Sequence, residues 1–275
     1  MKKYLKEKLK PIVFQLLQIV LLIVCFLIAF IFNLEKIIKS IISNYGLNVS
    51  EIGYYLLAKM GNIFIGISLL VIVLFFLINR NKNKILNASR EYYDYKYGWF
   101  WFCSKILGYK KCLLINIPIH MQYKLVINKT FDEYLFDNEL IQEVNLKPKI
   151  KYKNIKKDNN SNEYCLILED TYEIKNLQLP KEKSHLFSIK IIRDDEKSNN
   201  RRIYSPDFVQ TIFTEVSSIP EGSIIYVFAT TNAKHNYEIA KKVFSQSDRG
   251  NLKAVYVYQQ EKEKGRMFKK PYKVY

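Results

Sequence analysis

Two long apolar runs near the N-terminus constrain this chain more than any other feature. Residues 11–33 and 63–78 contain no Asp, Glu, Lys or Arg. A helix that crosses a hydrocarbon core of about 30 Å needs roughly 20 apolar residues. The first run is long enough by itself, and the second reaches this length if residues 53–62 add helical turns. The sequence therefore predicts two transmembrane helices, with a cleaved signal peptide as the alternative interpretation of the first run.

Basic residues lie mainly on the outer flanks of the two runs. Because cytoplasmic flanks of transmembrane helices carry the excess of Lys and Arg, we expect both termini to be cytoplasmic. The connection 34–61 has apolar residues at helical spacing, which favours an interfacial helix over an ordinary loop. The flanking residues are Lys2, Lys3, Lys6, Lys8 and Lys10 before the first run and Arg80, Lys82, Lys84 and Arg90 after the second.

The part of the chain after the second run is strongly basic. Residues 80–275 carry 35 Lys and Arg against 23 Asp and Glu, which accounts for +12 of the total charge of +17. Such an excess suits anionic partners: phospholipid headgroups, nucleic acid or a small nucleotide. The four cysteines are scattered and form no C-x-x-C pair, so we expect reduced thiols, no metal site and no cofactor.

Aromatic residues are concentrated directly after the second run. Eight of the eleven residues 92–102 are Tyr, Trp or Phe, and lysines flank them. Tyr and Trp prefer the headgroup layer of a bilayer, so this stretch favours an interfacial collar within a juxtamembrane segment 80–111. The alternative is that about half of these rings form the first strand of a soluble core.

Strand and helix patterns alternate from residue 112 onwards. Residues 112–128 have the pattern of extended segments, and Thr130 with Glu133 forms a capping box that predicts a helix to about Val144. The lysine-rich stretch 147–162 is typical of an exposed loop. Further strands are predicted at 163–168 and 186–192.

The C-terminal third gives the sharpest signals. Ser205, Pro206 and Asp207 are typical of a helix start, and the apolar residues that follow have helical spacing. Continuous apolar strands are predicted at 223–230 and 252–258, on either side of a helix at 231–246. Such strands joined by a helix indicate a parallel sheet that is covered on both faces, and therefore an α/β fold.

In open parallel sheets, ligands bind beyond the carboxyl ends of the strands. The loop after the strand 223–230 offers hydroxyl, amide, ammonium and imidazole groups at a helix N-terminus. Thr231 or Asn232 could also be a plain N-cap, and His235 a surface residue. The loop after strand 163–168, with Glu169, Asp170, Thr171 and Tyr172, is the second candidate. The predicted ligand-binding residues are Thr230, Thr231, Asn232, Lys234 and His235, with Thr171, Arg201 and Arg202 as further candidates.

This arrangement resembles the SAVED domain of CBASS antiphage effectors. The resemblance rests on two basic-flanked apolar runs, the segments YVFATTN, NYEIAKKVF and AVYVYQ, and the two strand and helix halves. SAVED domains are similar to fused CARF-like, Rossmann-type units. The chain has no G-x-G-x-x-G motif and is short for two full units, and a related effector family with a β-rich barrel gives the alternative fold.

The resemblance implies a fold and a function for each part of the chain. Residues 1–79 would form the two transmembrane helices and residues 112–275 the cytosolic sensor. The sensor would bind a cyclic oligonucleotide made by a cGAS-like nucleotidyltransferase. The implied partners are this second messenger, the lipid bilayer and further copies of the chain, with no DNA or RNA polymer.

Two other function classes remain open. No H-E-x-x-H, G-x-S-x-G or P-loop motif supports an anchored enzyme, and His120, His185 and His235 lie in unrelated settings. A membrane-anchored adaptor without nucleotide sensing is the second alternative. Within the first run, Gln15 and Gln18 share a helix face, and their amides favour packing between helices in lipid.

Overall fold

The computed structural model describes residues 10–45, 50, 53, 61–88, 91–136, 143–145, 147–154, 162–193, 203–245, 252–261 and 265–275. The chain forms two compact units. We call residues 1–91 and 101–112 the helical unit, and residues 92–100 and 113–275 the sheet unit. The predicted juxtamembrane segment 80–111 therefore contributes residues to both units, and the domain boundaries predicted from the sequence stay predictions.

The helical unit contains the two predicted apolar helices. A single 3₁₀ turn, Lys10–Ile12, leads into α1, Val13–Ile31, and the second long helix is α3, Asn62–Asn81. Both are long and apolar enough to cross a membrane, and they pack against each other. Between them lies α2, Leu34–Tyr45, where the sequence predicts a helix.

Two polar contacts join the ends of α1 and α3. The amides of Gln18 and Asn81 form a reciprocal pair, with N–O distances of 3.0 and 3.1 Å. The Nδ2 of Asn81 also donates to the carbonyl of Leu107 at 2.8 Å, and Gln15 donates to the carbonyl of Leu86 at 3.1 Å. Gln18 therefore packs α1 against α3, whereas Gln15 joins α1 to the segment that follows α3, and both contacts lie within one chain. Because the Gln18 amide and the Nε2 of Gln15 are engaged there, we do not assign them to association between protomers.

A double-mutant cycle on the pair tests this assignment. Asn81→Leu should destabilise the helical unit by about 1–2 kcal/mol, because it leaves the buried Gln18 amide without its partner. Gln18→Leu in the same background should recover part of this loss. Unfolding of the full-length protein in detergent micelles measures the coupling, with exposed Ser40→Leu on α2 as the control. If the changes in the free energy of unfolding of the two single variants simply add up in the double variant, Gln18 and Asn81 do not interact directly.

The sheet unit is built on a six-stranded mixed sheet with the order β3-β5-β4-β6-β7-β8. The four inner strands run parallel, and the edge strands β3 and β8 are antiparallel to their neighbours. This confirms the predicted α/β class with parallel strands. The strands are β3 Lys149–Lys153, β4 Glu163–Glu169, β5 Phe187–Ile192, β6 Ser223–Ala229, β7 Leu252–Gln260 and β8 Phe268–Lys273.

Helices flank the parallel strands as the sequence predicts. Helix α6, Pro206–Ser217, joins β5 to β6, and α7, Ala233–Ile239, joins β6 to β7 and continues as a π-helical turn to Phe244. Ser205 caps α6 by accepting the N–H of Phe208 at 3.3 Å, and Pro206 stands at the first position. The predicted helix start at Ser205 is confirmed.

The prediction of extended structure over 112–128 is wrong for most of its length. Only β1, Lys111–Leu113, is extended, and α5, Ile119–Ile127, follows Pro118. Six of the nine residues of α5 are buried. A short helix that is buried on most sides lacks the one-sided apolar pattern of a surface helix, so its sequence cannot be told from that of a buried strand.

The predicted helix from Thr130 to Val144 also fails where it can be checked. Residues Glu133–Leu135 form strand β2, and residues 137–142 lie outside the described part of the chain. Thr130 is 1% exposed, and its hydroxyl donates to Tyr97 Oη at 3.3 Å. Its side chain thus serves a tertiary contact, which overrides the local capping pattern.

Two other segments depart from the sequence-based predictions. The stretch 147–162, predicted as a loop, contains edge strand β3, and the helix α4, Tyr97–Lys105, occupies the aromatic segment. Tyr93 and Phe100 are fully buried, whereas Tyr92 and Trp101 are 44% and 45% exposed. The rings therefore divide between core and surface, as the alternative interpretation expects, although they lie on a helix and its flank rather than on a strand.

Candidate functional site

The loops after β4 and β6 lie side by side at the carboxyl edge of the sheet. The chain moves in one direction from β4 to β5 and in the other from β6 to β7, so these two loops mark a topological switch point. Open parallel sheets bind ligands at such points. The structure thus brings Thr171 and the loop Thr230–His235 to one edge, where the sequence predicts them.

Two threonines connect these loops. The backbone N–H and the hydroxyl of Thr171 both donate to the carbonyl of Thr230, at 3.2 and 2.5 Å. The hydroxyl of Thr230 donates to the carbonyl of Tyr172 at 2.9 Å. Because Thr230 is only 2% exposed, it positions the loops from beneath the surface.

Asp170 lies at the centre of a buried polar network below the loops. One carboxylate oxygen accepts Nε of Arg193 at 2.5 Å, and the other accepts the N–H of Asn232 at 2.9 Å and contacts Nδ1 of His235 at 2.7 Å. Burial alone would raise the pKa of Asp170, but the hydrogen bond from His235, the charge of Arg193 and the hydrogen bond from the Asn232 N–H outweigh it. The pKa of this carboxyl group therefore lies below its ordinary value.

The hydrogen bonds of His235 define its protonation. Its Nε2 accepts the backbone N–H of Ser205 at 2.9 Å, so the ring proton must lie on Nδ1, which donates to Asp170. The imidazole is therefore neutral, and it joins the loop after β6 to the start of α6. His235 is 0% exposed, so the alternative of a surface histidine is wrong.

Asp170, His235 and Ser205 are the residue types of a hydrolase triad, but their geometry differs from one. The imidazole meets the backbone N–H of Ser205, while the Ser205 hydroxyl accepts the N–H of Phe208. Asp170 is 7% exposed and both other residues are fully buried, so no substrate can reach the hydroxyl. A nucleophile needs an adjacent base and access to substrate. The trio therefore fixes the fold of this edge.

Asn232 and Thr231 complete the network at the start of α7. Asn232 accepts the N–H of His235 through Oδ1 at 2.9 Å and donates to the carbonyl of Ile203 at 2.9 Å. It is thus an N-cap, which was one of the two interpretations of the sequence. Thr231 donates to Asn236, which in turn donates to Gln122 of α5 at 2.9 Å.

Lys234 is the one cationic side chain of the loop Thr230–His235. Its Nζ lies 2.8 Å from Glu238 and 5.0–5.6 Å from the ring centroids of Phe136, Tyr204 and Tyr237. Burial would raise the pKa of Glu238, but its hydrogen bonds to Lys234 and Lys242 lower it overall. The side chain of Lys234 retains 27% exposure, so it can still approach a ligand.

Sequence reasoning placed Tyr172 in the second candidate loop but missed its exposed partner Arg266 at the same edge. Tyr172 is 39% exposed, and the guanidinium carbon of Arg266 lies 5.1 Å from its ring centroid. The Tyr172 hydroxyl donates to Gln260 Oε1 at 2.6 Å, at the end of β7. Arg266 has a φ of 46°, in the left-handed region, within the β7–β8 connection. Strand β8 was not predicted, so nothing in the sequence brought Arg266 to this edge.

Two of the predicted ligand-binding residues cannot be placed at this edge. Arg201 and Arg202 lie outside the described residues. In the part of the chain that the structure describes, no group of three or more His, Cys, Asp or Glu side chains could hold a metal ion.

Comparison with solved structures finds complexes of the Acinetobacter baumannii Cap4 SAVED/CARF-domain containing receptor. The complex with the cyclic trinucleotide 2'3'3'-cAAA has a TM-score of 0.42 and 7% sequence identity. The complex with 3'3'3'-cAAA has a TM-score of 0.41 and 8% identity. Each match covers 64% of this chain and 41% of the receptor chain, so the chain spans about two fifths of the receptor. The comparison with curated proteins finds no match.

A family model gives the stronger result. The model for the SMODS- and Ubiquitin system-associated 2TM effector domain matches residues 1–275. Two helices of suitable length and composition are present in the helical unit, at Lys10–Ile31 and Asn62–Asn81. The predicted relationship to two-transmembrane antiphage effectors is therefore confirmed. Because the match extends over the whole chain, this protein belongs to the family of SMODS- and ubiquitin system-associated 2TM effector domains.

Proposed function

We propose that this membrane protein binds a cyclic oligonucleotide second messenger at the carboxyl edge of its sheet, assembles with further copies and disrupts the bacterial inner membrane. Membership in an effector family of antiphage signalling supports the role of a membrane-associated effector. The observation that carries the ligand proposal is the switch point between β4 and β6, where a buried network fixes two loops beneath an exposed edge. We place both termini in the cytoplasm, as the distribution of Lys and Arg predicts.

The network provides what recognition of a flexible nucleotide requires. Preorganised loops reduce the entropy that is lost on binding. Thr230, Thr231, Asn232 and His235 are consumed by hydrogen bonds within the protein, and we propose that they act by holding the loop and its backbone N–H groups in place. Lys234 and Thr171 are partly exposed and are proposed to contact the ligand directly, Thr171 through the hydroxyl oxygen whose proton bonds the carbonyl of Thr230.

The exposed pair of Tyr172 and Arg266 extends this proposed site. An aromatic ring and a guanidinium group can each stack on a nucleobase, and a guanidinium group can pair with phosphate oxygens in a bidentate manner. A cyclic oligonucleotide presents both bases and phosphates. The positive charge of the sheet unit is consistent with such an anionic ligand.

The second candidate is a membrane-anchored adaptor whose sheet unit binds another protein. The dense hydrogen bonding of Asp170, His235 and Asn232 would equally stabilise a protein-binding edge. Direct titration separates the two candidates, because only the sensor binds cyclic nucleotides in the absence of a protein partner.

Calorimetric titration of the full-length protein in detergent with cyclic di-, tri- and tetranucleotides tests the sensor proposal. We expect at least one to bind, and Arg266→Glu to weaken it by about tenfold or more, since a charge near phosphate is reversed. Lys253→Glu is the matched control, because this exposed lysine lies at the opposite end of β7. Lys234→Gln tests the ammonium without placing a second acid beside Glu238. If no cyclic nucleotide binds, the sensor proposal fails and the adaptor is favoured.

A further inference from the structure

The second half of α4 presents an aromatic residue and a lysine to the outside of the helical unit. Trp101 is 45% exposed, and Lys105, one turn later, is also exposed. Residues at i and i+4 lie on the same helix face, so the two side chains form one continuous strip. The side chains of Cys103 and Ser104, which lie between them in the sequence, are 0% and 2% exposed.

The chain after α4 turns back and is held against its last turn. The N–H of Leu107 donates to the carbonyl of Phe102 at 3.1 Å, and the N–H of Tyr109 donates to that of Cys103 at 3.0 Å. We call residues 101–111 the foot. Its residues form a short helix end and a return segment, all within the helical unit.

The foot is attached to the end of the second apolar helix. The carbonyl of Leu107 accepts Nδ2 of Asn81, the last residue of α3, at 2.8 Å. Gly108 approaches so closely that an added Cβ would lie 2.7 Å from the Cα of Ile78. Gly108 has a φ of +80°, a conformation that L side chains rarely adopt. The foot therefore lies at the level where α3 leaves its apolar stretch.

We infer that the foot is a lipid-binding element that inserts Trp101 into the headgroup layer. Trp is enriched at this level because its ring is apolar and its N–H stays hydrated. The exposed cations at the same end of the unit suit anionic phospholipids; they are Arg80 on α3, Lys82 directly after it and Lys105 on the foot. The lipid that the foot contacts belongs to the same bilayer that surrounds α1 and α3. The foot fixes the depth of α3, and this role is independent of nucleotide binding.

Tryptophan fluorescence tests this inference directly, because the chain contains just two Trp residues. Trp99→Phe leaves Trp101 as the only reporter, and Trp101→Phe is the matched control that leaves Trp99. The full-length variants are reconstituted in vesicles of phosphatidylcholine with phosphatidylglycerol. Phospholipids brominated close to the glycerol or close to the chain end then report the depth of each ring.

If the foot binds lipid, the emission of Trp101 is blue-shifted, and bromines close to the glycerol (shallow) quench it more than bromines close to the chain end (deep). Trp99 should show no such pattern. Lys105→Glu should reduce the shallow quenching in anionic vesicles and leave it unchanged in neutral ones. If Trp99→Phe fails to fold, the difference between wild type and Trp101→Phe gives the same spectrum. Ready quenching of Trp101 by aqueous acrylamide without lipid quenching would overturn the inference. Protection from both quenchers would overturn it too, by assigning this face to a second copy.

Discussion

Replacing Asp170 by alanine is expected to destabilise the sheet unit by about 3–5 kcal/mol, because the guanidinium of Arg193 then stays buried without its carboxylate. The same change removes the acceptor for the Asn232 N–H and for Nδ1 of His235. A loss of this size lowers the melting temperature by roughly 10 °C in a domain of this length. Thermal unfolding of the full-length protein in detergent, followed by near-ultraviolet circular dichroism, measures the effect.

Asp94→Ala is the control for this prediction, because Asp94 is exposed and its loss should cost less than about 0.5 kcal/mol. If Asp170→Ala unfolds no earlier than this control, the network does not stabilise the edge as described. Nucleotide binding provides a second readout. Loss of the network should weaken binding in the fraction that stays folded, since the two loops are no longer held together.

The pH dependence of this effect has a definite sign. The pKa of Asp170 is lower in the folded protein than its ordinary value. As the pH falls, this carboxylate is therefore protonated in the unfolded state before it is protonated in the folded state. The contribution of the Asp170 carboxylate to the free energy of unfolding is fully present above the unfolded-state pKa of about 3.9. This contribution is lost as the pH falls through the folded-state pKa. The difference in stability between wild type and Asp170→Ala should therefore be constant near neutral pH and narrow only below about pH 4.

Much of the fold could be predicted from the sequence because its inner parts obey strong patterns. The two apolar helices are long and free of charge, and the buried parallel strands β4, β5, β6 and β7 are continuous apolar runs. The edge strands were missed for a physical reason. β3 is rich in exposed lysine and β8 contains Pro271, which are features that protect a sheet edge and that also resemble a loop.

The sequence predicts which loops follow the buried strands, but the internal chemistry of the candidate site could not be predicted. The loop Thr230–His235 was recognised by its polar residues after a buried strand. Its central partner, Asp170, is more than sixty residues earlier in the chain, and only the pairing of β4 with β6 brings the two together. Residue types alone do not say whether a polar group faces a ligand or another part of the protein.

The proposed mechanism requires assembly, because two helices of one chain cannot enclose an aqueous pathway. Ligand binding drives assembly only if the assembled state binds the nucleotide more tightly. To shift the ratio of assembled to unassembled protein from about 1:99 to about 99:1, the nucleotide must bind the assembled state roughly 10⁴-fold more tightly than the unassembled state. We therefore expect the nucleotide to lie at or near an interface between protomers. Since Gln18 and the Nε2 of Gln15 are engaged within one chain, we expect other surfaces of the helices to make the contacts between protomers in the bilayer.

Release of a trapped dye from liposomes that contain the full-length protein tests the central claim most directly. Addition of the cyclic oligonucleotide that binds should release most of the dye, with crosslinking of several protomers over the same concentration range. Arg266→Glu should shift this release to about tenfold higher nucleotide or more, while Lys253→Glu should behave as wild type. Retention of the dye at saturating nucleotide would contradict the account and leave the two helices as an anchor.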